Sequence, residues 1–409
     1  MAYLIFLREN WRFVSFGMFL TMASSFGQTF YVALYGADIR AEFGLSNGDF
    51  GAVFSGASII AAGALIWLGK FIDRVDVRLY TGMTLAALFG GMVLLSQANS
   101  LLLFALAIFV VRFCGQGLCI HIASTCMARY FPQDRGKALS VSGLGLAGGE
   151  AVLPGLTLLL IADHGWRDAW LWTVVLTAIL ALVLLPQFLK GHTERHRGFS
   201  ERLNKGASER KTVRSWTRIQ VLGDRGFQAI MLLLMAFPYM TTGVLFHQVF
   251  IVQAKGWSLE LLGLGFLALA IAKILTSLVV GSLIDRVGAV RLVPATCLPW
   301  IAAFLAILLS DSSIVMLVYL ALFGMGIGML QPILSAMLAE RYGVSNLGGI
   351  KAMSTAGVVL SAAAAPATVG WLLDAGVSID WLMIGFLAYL LPAAAIAHLV
   401  LTHERVANA

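Results

Sequence analysis

The chain has 409 residues, of which 59% are hydrophobic and 12% are charged. Soluble domains have about 45–50% apolar and about 25% charged residues, so the composition excludes an ordinary soluble protein. The net charge of +7 would suit a nucleic-acid-binding protein, but the positions of the charges, given below, exclude that class. Four cysteines lie inside apolar segments and form neither a disulfide framework nor a zinc-binding CxxC spacing: Cys114, Cys119, Cys126 and Cys297.

Apolar segments of about 20 residues recur along the chain, and each is long enough to cross a ~30 Å hydrocarbon layer. Backbone groups in lipid must be hydrogen-bonded within their own segment, so these segments predict helices. In chain order they are residues 11–36, 47–68, 77–98, 100–128, 137–162, 168–189, 227–253, 259–280, 291–310, 313–338, 350–373 and 381–402. The first has no clear cleavage site and is longer than a signal-peptide core, which predicts a retained span.

The basic residues predict the orientation of these spans. With the N-terminus in the cytoplasm, 23 Lys and Arg fall inside, 3 fall outside and 2 fall within spans. The Lys and Arg bias sets membrane orientation, so both termini are predicted to be cytoplasmic. The expected location is the cell membrane, either a bacterial inner membrane or a plasma membrane. The lipid bilayer is an expected partner, and nucleic acid is not.

One long polar stretch, from Lys190 to Arg225, separates the sixth and seventh spans and carries ten Lys and Arg. It predicts an N-terminal six-helix half at residues 1–190, a cytoplasmic linker at 191–226 and a C-terminal six-helix half at 227–409. A regulatory or partner-binding segment is the alternative interpretation of the linker.

An internal repeat relates the two halves at an offset of 212 residues. Three residues of Gly69–Arg78 match three of Gly281–Arg291, and the same offset pairs Arg129-Tyr130 with Arg341-Tyr342, and Pro154 with Pro366. Six spans return the chain to its starting side, so the halves have the same orientation. Parallel repeats of this kind place a substrate site near the bilayer midplane, between the halves.

These residues resemble the major facilitator superfamily over essentially the whole chain. G-x-x-x-D-R follows span two and recurs after span eight, and Arg112-Phe-Cys-Gly115-Gln-Gly117 in span four looks like a second signature. The first loop departs from the pattern, with Asp76 where the family often has Gly. The resemblance implies an all-α membrane protein of two six-helix halves that transports by alternating access, without a cofactor, as a monomer and not as an enzyme.

A narrower resemblance is to the oxalate/formate and monocarboxylate transporter branch. It is carried by Gly27–Ser46 and Ala128–Gly149. The G-P-x-x-G-G ending of span five in drug/proton antiporters is missing here, because Leu153 precedes Pro154-Gly155 and no Gly-Gly follows. The departure argues against drug export.

Three charged side chains are predicted to lie deep in spans: Arg112, Glu150 and Lys273. A charge in that position costs at least a few kcal/mol on insertion scales, so each is expected to face the protein interior. Arg112 and Glu150 have similar predicted depth and either form a structural ion pair or act together, with Glu150 as proton carrier and Arg112 tuning its titration. Lys273 either reaches the cytoplasmic interface or binds an anion, as span-eight basic residues do in the resembled branch.

Polar residues within spans are candidates for lining a substrate cavity. His121 is also the reserve proton carrier, because imidazole titrates near neutral pH; a structural role is the alternative for each. The predicted substrate-binding set is Arg112, Lys273, Gln28, Tyr31, His121, His247 and Gln331. By the resemblance, the loop signatures are gating residues that latch one conformation: Gly69, Asp73, Arg74, Gly281, Asp285 and Arg286.

Together these features predict a secondary transporter that moves a small organic anion, a monocarboxylate, with a proton. Two in-span cations against one carboxylate favour anionic cargo. Export of amphipathic or aromatic compounds by proton antiport is the main alternative. Import of copper is a minor one, suggested by methionines of span seven and soft sulfur ligands in span four. No phosphate-binding loop or nucleophile constellation is present, so the sequence supports neither ATP drive nor catalysis.

Overall fold

The computed structural model describes residues 2–131, 133–197, 218–342 and 347–408. Within these ranges the secondary structure is helical throughout, with no strand. The greater part of the predicted linker, residues 198–217, lies outside the described residues. The chain folds into two compact units. Unit 1 comprises residues 1–43 and 56–211, and unit 2 comprises residues 44–55 and 212–409.

Span one is a broken helix. Its first part is Ala2–Ala23, followed by a 3-10 turn at Ser24–Gly27, a short helix at Thr29–Val32, a second 3-10 turn at Ala33–Tyr35 and a helix at Gly36–Phe43. The prediction of one continuous helix over 11–36 is therefore wrong. The break lies at Gln28, whose ψ of 153° is extended, because the backbone of Gly27 packs directly against Gly115 and Gln116 of span four.

The other spans of the first half follow the predicted pattern closely. Span two is Asn47–Leu68, continued by a 3-10 turn at Gly69–Asp73, and span three is Val77–Gln97. Span four runs from Leu101 to Tyr130 and contains a π-helical stretch at Arg112–Cys119. Spans five and six form Arg135–Phe188, which turns at Gly165, where φ is +79°. A positive φ of this kind suits glycine.

The second half begins with the short helix Arg218–Leu222. Span seven is Arg225–Phe246 and continues as Gln248–Ala254 after a break at His247. Span eight is Glu260–Val287, and the short helix Ala289–Leu292 leads into span nine at Cys297–Leu309. Spans ten, eleven and twelve are Val315–Tyr342, Leu347–Asp374 and Ile379–Asn408.

Nine helices among the described residues are long and apolar enough to cross a membrane. One of them, Arg135–Phe188, has 54 residues and supplies two spans. With the shorter apolar helix Pro294–Leu309 and with Ala2–Ala23, the described helices account for all twelve predicted spans. The predicted all-helical fold class is confirmed.

Glycines set the closest helix contacts in both units. In unit 1, Gly145 packs on the backbone of Met18 and Gly149 packs on Ser25, so span five lies against span one. In unit 2, Gly324 and Gly328 of span ten pack on the backbone of span eight. Small residues four apart lie on one helix face and let two backbones approach closely, which is how membrane helices associate.

Candidate functional site

The buried guanidinium of Arg112 is the centre of the polar site in unit 1. Its side chain is 7% exposed. The Nε atom donates a hydrogen bond to Ser58 Oγ of span two at 2.9 Å, and Nη1 donates to the Gly27 carbonyl at 2.8 Å. Nη1 also lies 3.5 Å from Thr29 Oγ1. These contacts orient the guanidinium through neutral oxygen atoms.

Two local irregularities of the backbone create this geometry. The extended conformation at Gln28 interrupts span one, so the Gly27 carbonyl points to Arg112 instead of continuing a helix. Arg112 itself begins the π-helical stretch of span four, and π-helical turns are frequent at functional sites. Gln28 lies between the two span-one residues nearest the guanidinium, so the structure brings the predicted residues Arg112 and Gln28 together.

A network of buried hydroxyl groups surrounds Tyr31, on the far side of the break. The Tyr31 hydroxyl lies 3.1 Å from that of Tyr35 and 3.3 Å from Thr173 Oγ1, and it accepts a hydrogen bond from Thr157 at 3.2 Å. Trp170 stacks on Tyr35 with a ring-centroid distance of 4.5 Å. Tyr31 is therefore joined to spans five and six through neutral polar contacts.

Glu150 is buried in unit 1, with 9% of its surface exposed. The residue before it, Gly149, packs on Ser25 in the 3-10 turn of span one. Glu150 is therefore held at the contact between span five and the broken part of span one, the same part that contacts Arg112.

Three polar contacts in unit 2 join span seven to spans nine and eleven. His247, at the break in span seven, is 4% exposed, and its Nε2 lies 3.0 Å from the carbonyl of Pro366. Tyr239 and Thr368 share a hydrogen bond of 2.7 Å between their hydroxyl groups. Trp300 Nε1 donates to Thr241 Oγ1 at 2.8 Å.

The remaining predicted substrate residues lie in different surroundings. Lys273 is half-buried on span eight, beside the packing contact with Gly328. Gln331 is exposed on span ten. His121 is part-buried, and its Nε2 lies 3.0 Å from the carbonyl of Gly69. His121 therefore contacts the first glycine of the loop signature and not the surroundings of Arg112.

The first loop signature is tied to span four. The Asp73 carboxylate forms an ion pair with Arg129, whose Nη1 also donates to the Ile72 carbonyl at 3.4 Å. Arg74 is exposed. The helix that follows the loop is capped by Asp76, whose Oδ1 accepts a hydrogen bond from the backbone N–H of Arg78 at 2.8 Å. Asp76, the departure from the family pattern, is thus an N-cap.

The second loop signature is built differently. Gly281, Asp285 and Arg286 are exposed. Arg341 binds Asp224, with Nη2 at 3.2 and 3.0 Å from the two carboxylate oxygens, and the Tyr342 hydroxyl donates to the same carboxylate at 2.6 Å. Burial alone would raise the pKa of Asp224, but the hydrogen bonds from Tyr342 and Arg341 outweigh it and lower that pKa.

Sequence reasoning missed the roles of two arginines, Arg129, which binds the first loop, and Arg341, which binds the start of span seven. Both were visible as partners in the 212-residue repeat, but the pattern gave no role to either. Glu340 was also missed: its carboxylate accepts hydrogen bonds from the backbone N–H groups of Ala289 and Val290, at 3.0–3.3 Å. It caps the helix after the second loop from span ten.

The part of the chain that the structure describes has no group of three or more His, Cys, Asp or Glu side chains that could hold a metal ion. The four cysteines are buried and not disulfide-bonded.

Solved structures of membrane transporters are similar to this chain. The nucleoside transporter NupG is 12% identical, with 97% of this chain and 98% of that one covered and a TM-score of 0.70. A bacterial homolog to the human lysosomal transporter Spinster, in an inward-facing and occupied conformation, is 15% identical, with 98% and 97% covered and a TM-score of 0.63. At these identities the likeness shows the fold alone. No curated protein sequence matches the chain.

The model of the Major Facilitator Superfamily matches residues 17–246 and again residues 228–409. These two matches cover the two halves that the 212-residue repeat predicts, and the family and fold indicate a transporter and not an enzyme. The chain belongs to the Major Facilitator Superfamily and is a multi-pass membrane protein with the two-halved, all-helical fold of that family.

Proposed function

We propose that the chain is a secondary transporter that moves a small organic anion, a monocarboxylate, together with a proton by alternating access. The observation that carries the proposal is the buried guanidinium of Arg112, oriented by Ser58 and the Gly27 carbonyl. A carboxylate forms short charge-assisted hydrogen bonds with a guanidinium. Such bonds are strongest where water is excluded, so a buried Arg favours anionic cargo over neutral cargo.

Lys273 in unit 2 is the second cation proposed to bind substrate. It is half-buried, and an ammonium on a flexible stem can follow an anion as the protein changes conformation. Gln28 and Tyr31 are the proposed neutral contacts in unit 1, and His247 and Gln331 are those in unit 2. Assignment to the oxalate/formate and monocarboxylate branch rests on the sequence segments quoted above.

Glu150 is the proposed proton carrier. It is a buried carboxyl group beside the broken part of span one, and the same part of span one contacts Arg112. In the proposed coupling, a substrate carboxylate on Arg112 acts on Glu150 through this shared part of span one. His121 remains the reserve candidate for proton carriage, and its Nε2 contacts the carbonyl of Gly69 in the first loop signature.

Uptake into proteoliposomes tests the substrate class. The panel comprises monocarboxylates, dicarboxylates, nucleosides (the cargo in the name of the similar NupG structure), amphipathic cations and Cu(I). We expect monocarboxylate uptake that falls about 100-fold in Arg112→Gln, the size of effect seen when a buried charged donor is lost. Arg112→Lys keeps the charge and loses the planar fork, so we expect partial activity. Arg8→Gln, at an exposed position, is the control.

The panel also separates the alternatives. Transport of amphipathic compounds with no organic anion moved would replace the proposal with proton-driven export, and Cu(I) uptake alone would replace it with copper import. Uptake that required ATP would refute secondary transport itself. If Arg112→Gln lost thermal stability as well as uptake, the activity of Arg112→Lys would decide whether the charge serves the cargo.

Glu150→Gln tests the coupling, because the amide mimics a protonated carboxyl group that cannot titrate. We expect accumulation driven by a pH gradient to collapse while substrate exchange at zero gradient survives. Glu260→Gln, an exposed carboxylate at a span end, is the matched control. Unchanged gradient-driven accumulation in Glu150→Gln would make Glu150 structural. The coupling would then lie at His121, or the mechanism would be exchange or uniport.

A further inference from the structure

Unit 1 has a groove between spans three and six that no part of the proposed transport cycle uses. Its volume is about 810 Å³. Span three lines it from Arg78 to Phe89, and span six lines it from Ala178 to Leu189. Eleven residues of helix extend about 16 Å, which is about half of the ~30 Å hydrocarbon core. The groove therefore has the length of one leaflet of the bilayer.

Small residues give the groove its width. Gly82 and Ala86 lie on the wall from span three, and Ala178 and Ala181 lie on the wall from span six. A Cβ atom added at Gly82 would have no neighbour within 4 Å. Apart from Thr81, the groove is apolar along its length inside the membrane, so it suits a hydrocarbon chain.

The mouth of the groove is basic. Arg78 and Lys190 line it, together with Gly191 and Thr193, and no carboxylate is among the lining residues. Arg78 donates a hydrogen bond to Thr193 Oγ1, and its Nε lies 3.7 Å from the carboxylate of Asp76, outside the groove. The Arg78 side chain is still 48% exposed, and Lys190 is exposed.

One buried polar group lies just inside this mouth. Thr81 is 1% exposed, and its hydroxyl has no hydrogen-bond partner among the described residues. Buried hydroxyl groups are nearly always hydrogen-bonded. Thr81 lies three residues, or about 4.5 Å, along the helix from Arg78. In a phospholipid, the ester carbonyls lie at a similar distance from the phosphate, toward the centre of the bilayer.

We propose that the groove binds one anionic phospholipid. The phosphate contacts Arg78 and Lys190, an ester carbonyl accepts the hydrogen bond of Thr81, and an acyl chain fills the apolar part. Basic pockets between transmembrane helices are suited to anionic lipid headgroups. In the repeat, Arg291 corresponds to Arg78, but Thr402 stands at the position of Lys190, so the pair of basic residues occurs only in unit 1 and the proposal is confined to that unit.

Native mass spectrometry of the delipidated full-length protein, titrated with phosphatidylglycerol, tests the proposal. We expect one tight lipid per chain, bound about tenfold more weakly by Arg78→Gln/Lys190→Gln. A Cβ at residue 82 has open space around it, so Gly82→Leu should fill the groove and weaken binding as strongly. Ala86→Leu is the second filling variant if Gly82→Leu does not fold. The control Arg8→Gln/Arg12→Gln removes the same charge from exposed positions on span one and should bind like the wild type.

Three results would overturn the proposal. Phosphatidylcholine carries the same tails without the net negative charge, and equal binding of it would show that the basic mouth is not used. Displacement of the lipid by glycerol phosphate at equal concentration would indicate a soluble-anion site without a lipid chain. An equal loss in the control variant would indicate non-specific attraction. The readout is lipid binding alone, so it is independent of whether the chain carries monocarboxylates.

Discussion

Arg112 in unit 1 and Gly324 in unit 2 occupy the same position of the 212-residue repeat, but Arg112 makes polar contacts and Gly324 makes a packing contact. Arg112 extends a buried guanidinium to Ser58 on span two. Gly324 has no side chain and packs on the backbone of Leu269 on span eight. The repeat partner of Ser58 is Ala270, so a polar pair in one unit is replaced by a pair of small residues in the other.

The duplicated framework thus keeps its helix order while its contacts diverge. Around Arg112 the backbone is irregular: span one is broken at Gln28, and span four is π-helical from Arg112. At Gly324, span ten stays helical and approaches its neighbour closely. The same register position therefore serves a polar site in unit 1 and helix packing in unit 2.

The charged ends of the two units diverge in the same way. Arg129 pairs with the loop carboxylate Asp73, which is 67% exposed. Its repeat partner Arg341 pairs instead with Asp224, which is 11% exposed. Arg12 occupies the repeat position of Asp224 in unit 1, so unit 1 has no carboxylate there to form the more buried pair.

The largest effect is expected from Gly324→Ala, which tests whether this position is a packing contact in unit 2. The new Cβ would collide with the backbone carbonyl of Leu269, and no side-chain rotation relieves a clash with backbone. We expect a loss of about 3 kcal/mol in the free energy of unfolding, measured by thermal unfolding in detergent. Gly90→Ala adds the same methyl group in open space and should lose nothing. Equal midpoints for the two variants would contradict the packing role.

The second largest effect is expected from Asp224→Asn. Asparagine also caps helices well, so the variant removes the ion pair with Arg341 and keeps the cap on Phe227. We expect a loss of about 2 kcal/mol, between the values of exposed and buried pairs. Asp73→Asn removes an exposed pair and should cost less than about 1 kcal/mol.

The pH dependence gives a check on the same pair. The pKa of Asp224 is lowered below its ordinary value of 3.8, so its contribution to stability is present above that value and is lost as the pH falls through the lowered one. The difference between wild type and Asp224→Asn should therefore shrink in acid. If the stability difference between the two proteins did not change after Asp224 had taken up its proton, the charge of Asp224 would not be what stabilises unit 2.

A smaller effect is expected at the helix caps. The helix after the first loop is capped by its own Asp76, whereas the helix after the second loop begins at Gly288, with φ of +86°, and is capped by Glu340 of span ten. We expect Glu340→Ala to cost about 1 kcal/mol and the more exposed cap Asp76→Ala about 0.5 kcal/mol. Hydrogen exchange at Ala289 and Val290 should rise in Glu340→Ala. Glu340→Gln keeps an acceptor, and an equal rise there would contradict capping.

The smallest effect is expected for the ion pairs at the other end of the units. The order of acid and base along the chain differs between the two pairs. In unit 1 Glu42 precedes its partner Arg167 in the chain, and in unit 2 Lys255 precedes Asp380. Burial alone would lower the pKa of Lys255, but the hydrogen bonds to Asp380 and Asp311 outweigh it and raise that pKa. Because the carboxylates are exposed, we expect Lys255→Gln and Glu42→Gln each to cost about 0.5 kcal/mol. The cost should fall further in high salt, and a salt-independent loss would indicate packing instead.

Much of the fold could be predicted from the sequence, because each membrane span is a continuous segment of apolar residues. Apolar length gave the spans, and Gly69–Arg78 with its repeat gave the duplication and the family. The break at Gln28 could not be predicted, since it results from the contact of Gly27 with Gly115 and Gln116 of span four, about 90 residues away.

The candidate site was predictable in part for a related physical reason. Arg112 and Glu150 stood out because an ionisable residue in an apolar segment is costly and therefore functional or paired. Ser58 as the acceptor of Arg112, and Thr81 at the groove, carried no such signal, because a hydroxyl group is common and inexpensive within a span.

The sequence by itself determined the number of spans, their duplication and the charged groups inside them, because hydropathy and repeat are local properties of the chain. Only the tertiary structure decided the partners: Arg129 with Asp73, Arg341 with Asp224, and Glu340 with the helix at Ala289. Each pairing depends on which side chains two distant helices bring within about 3 Å of one another, the range of a hydrogen bond. That distance depends on how the helices pack against each other, and no pattern within a single helix predicts it.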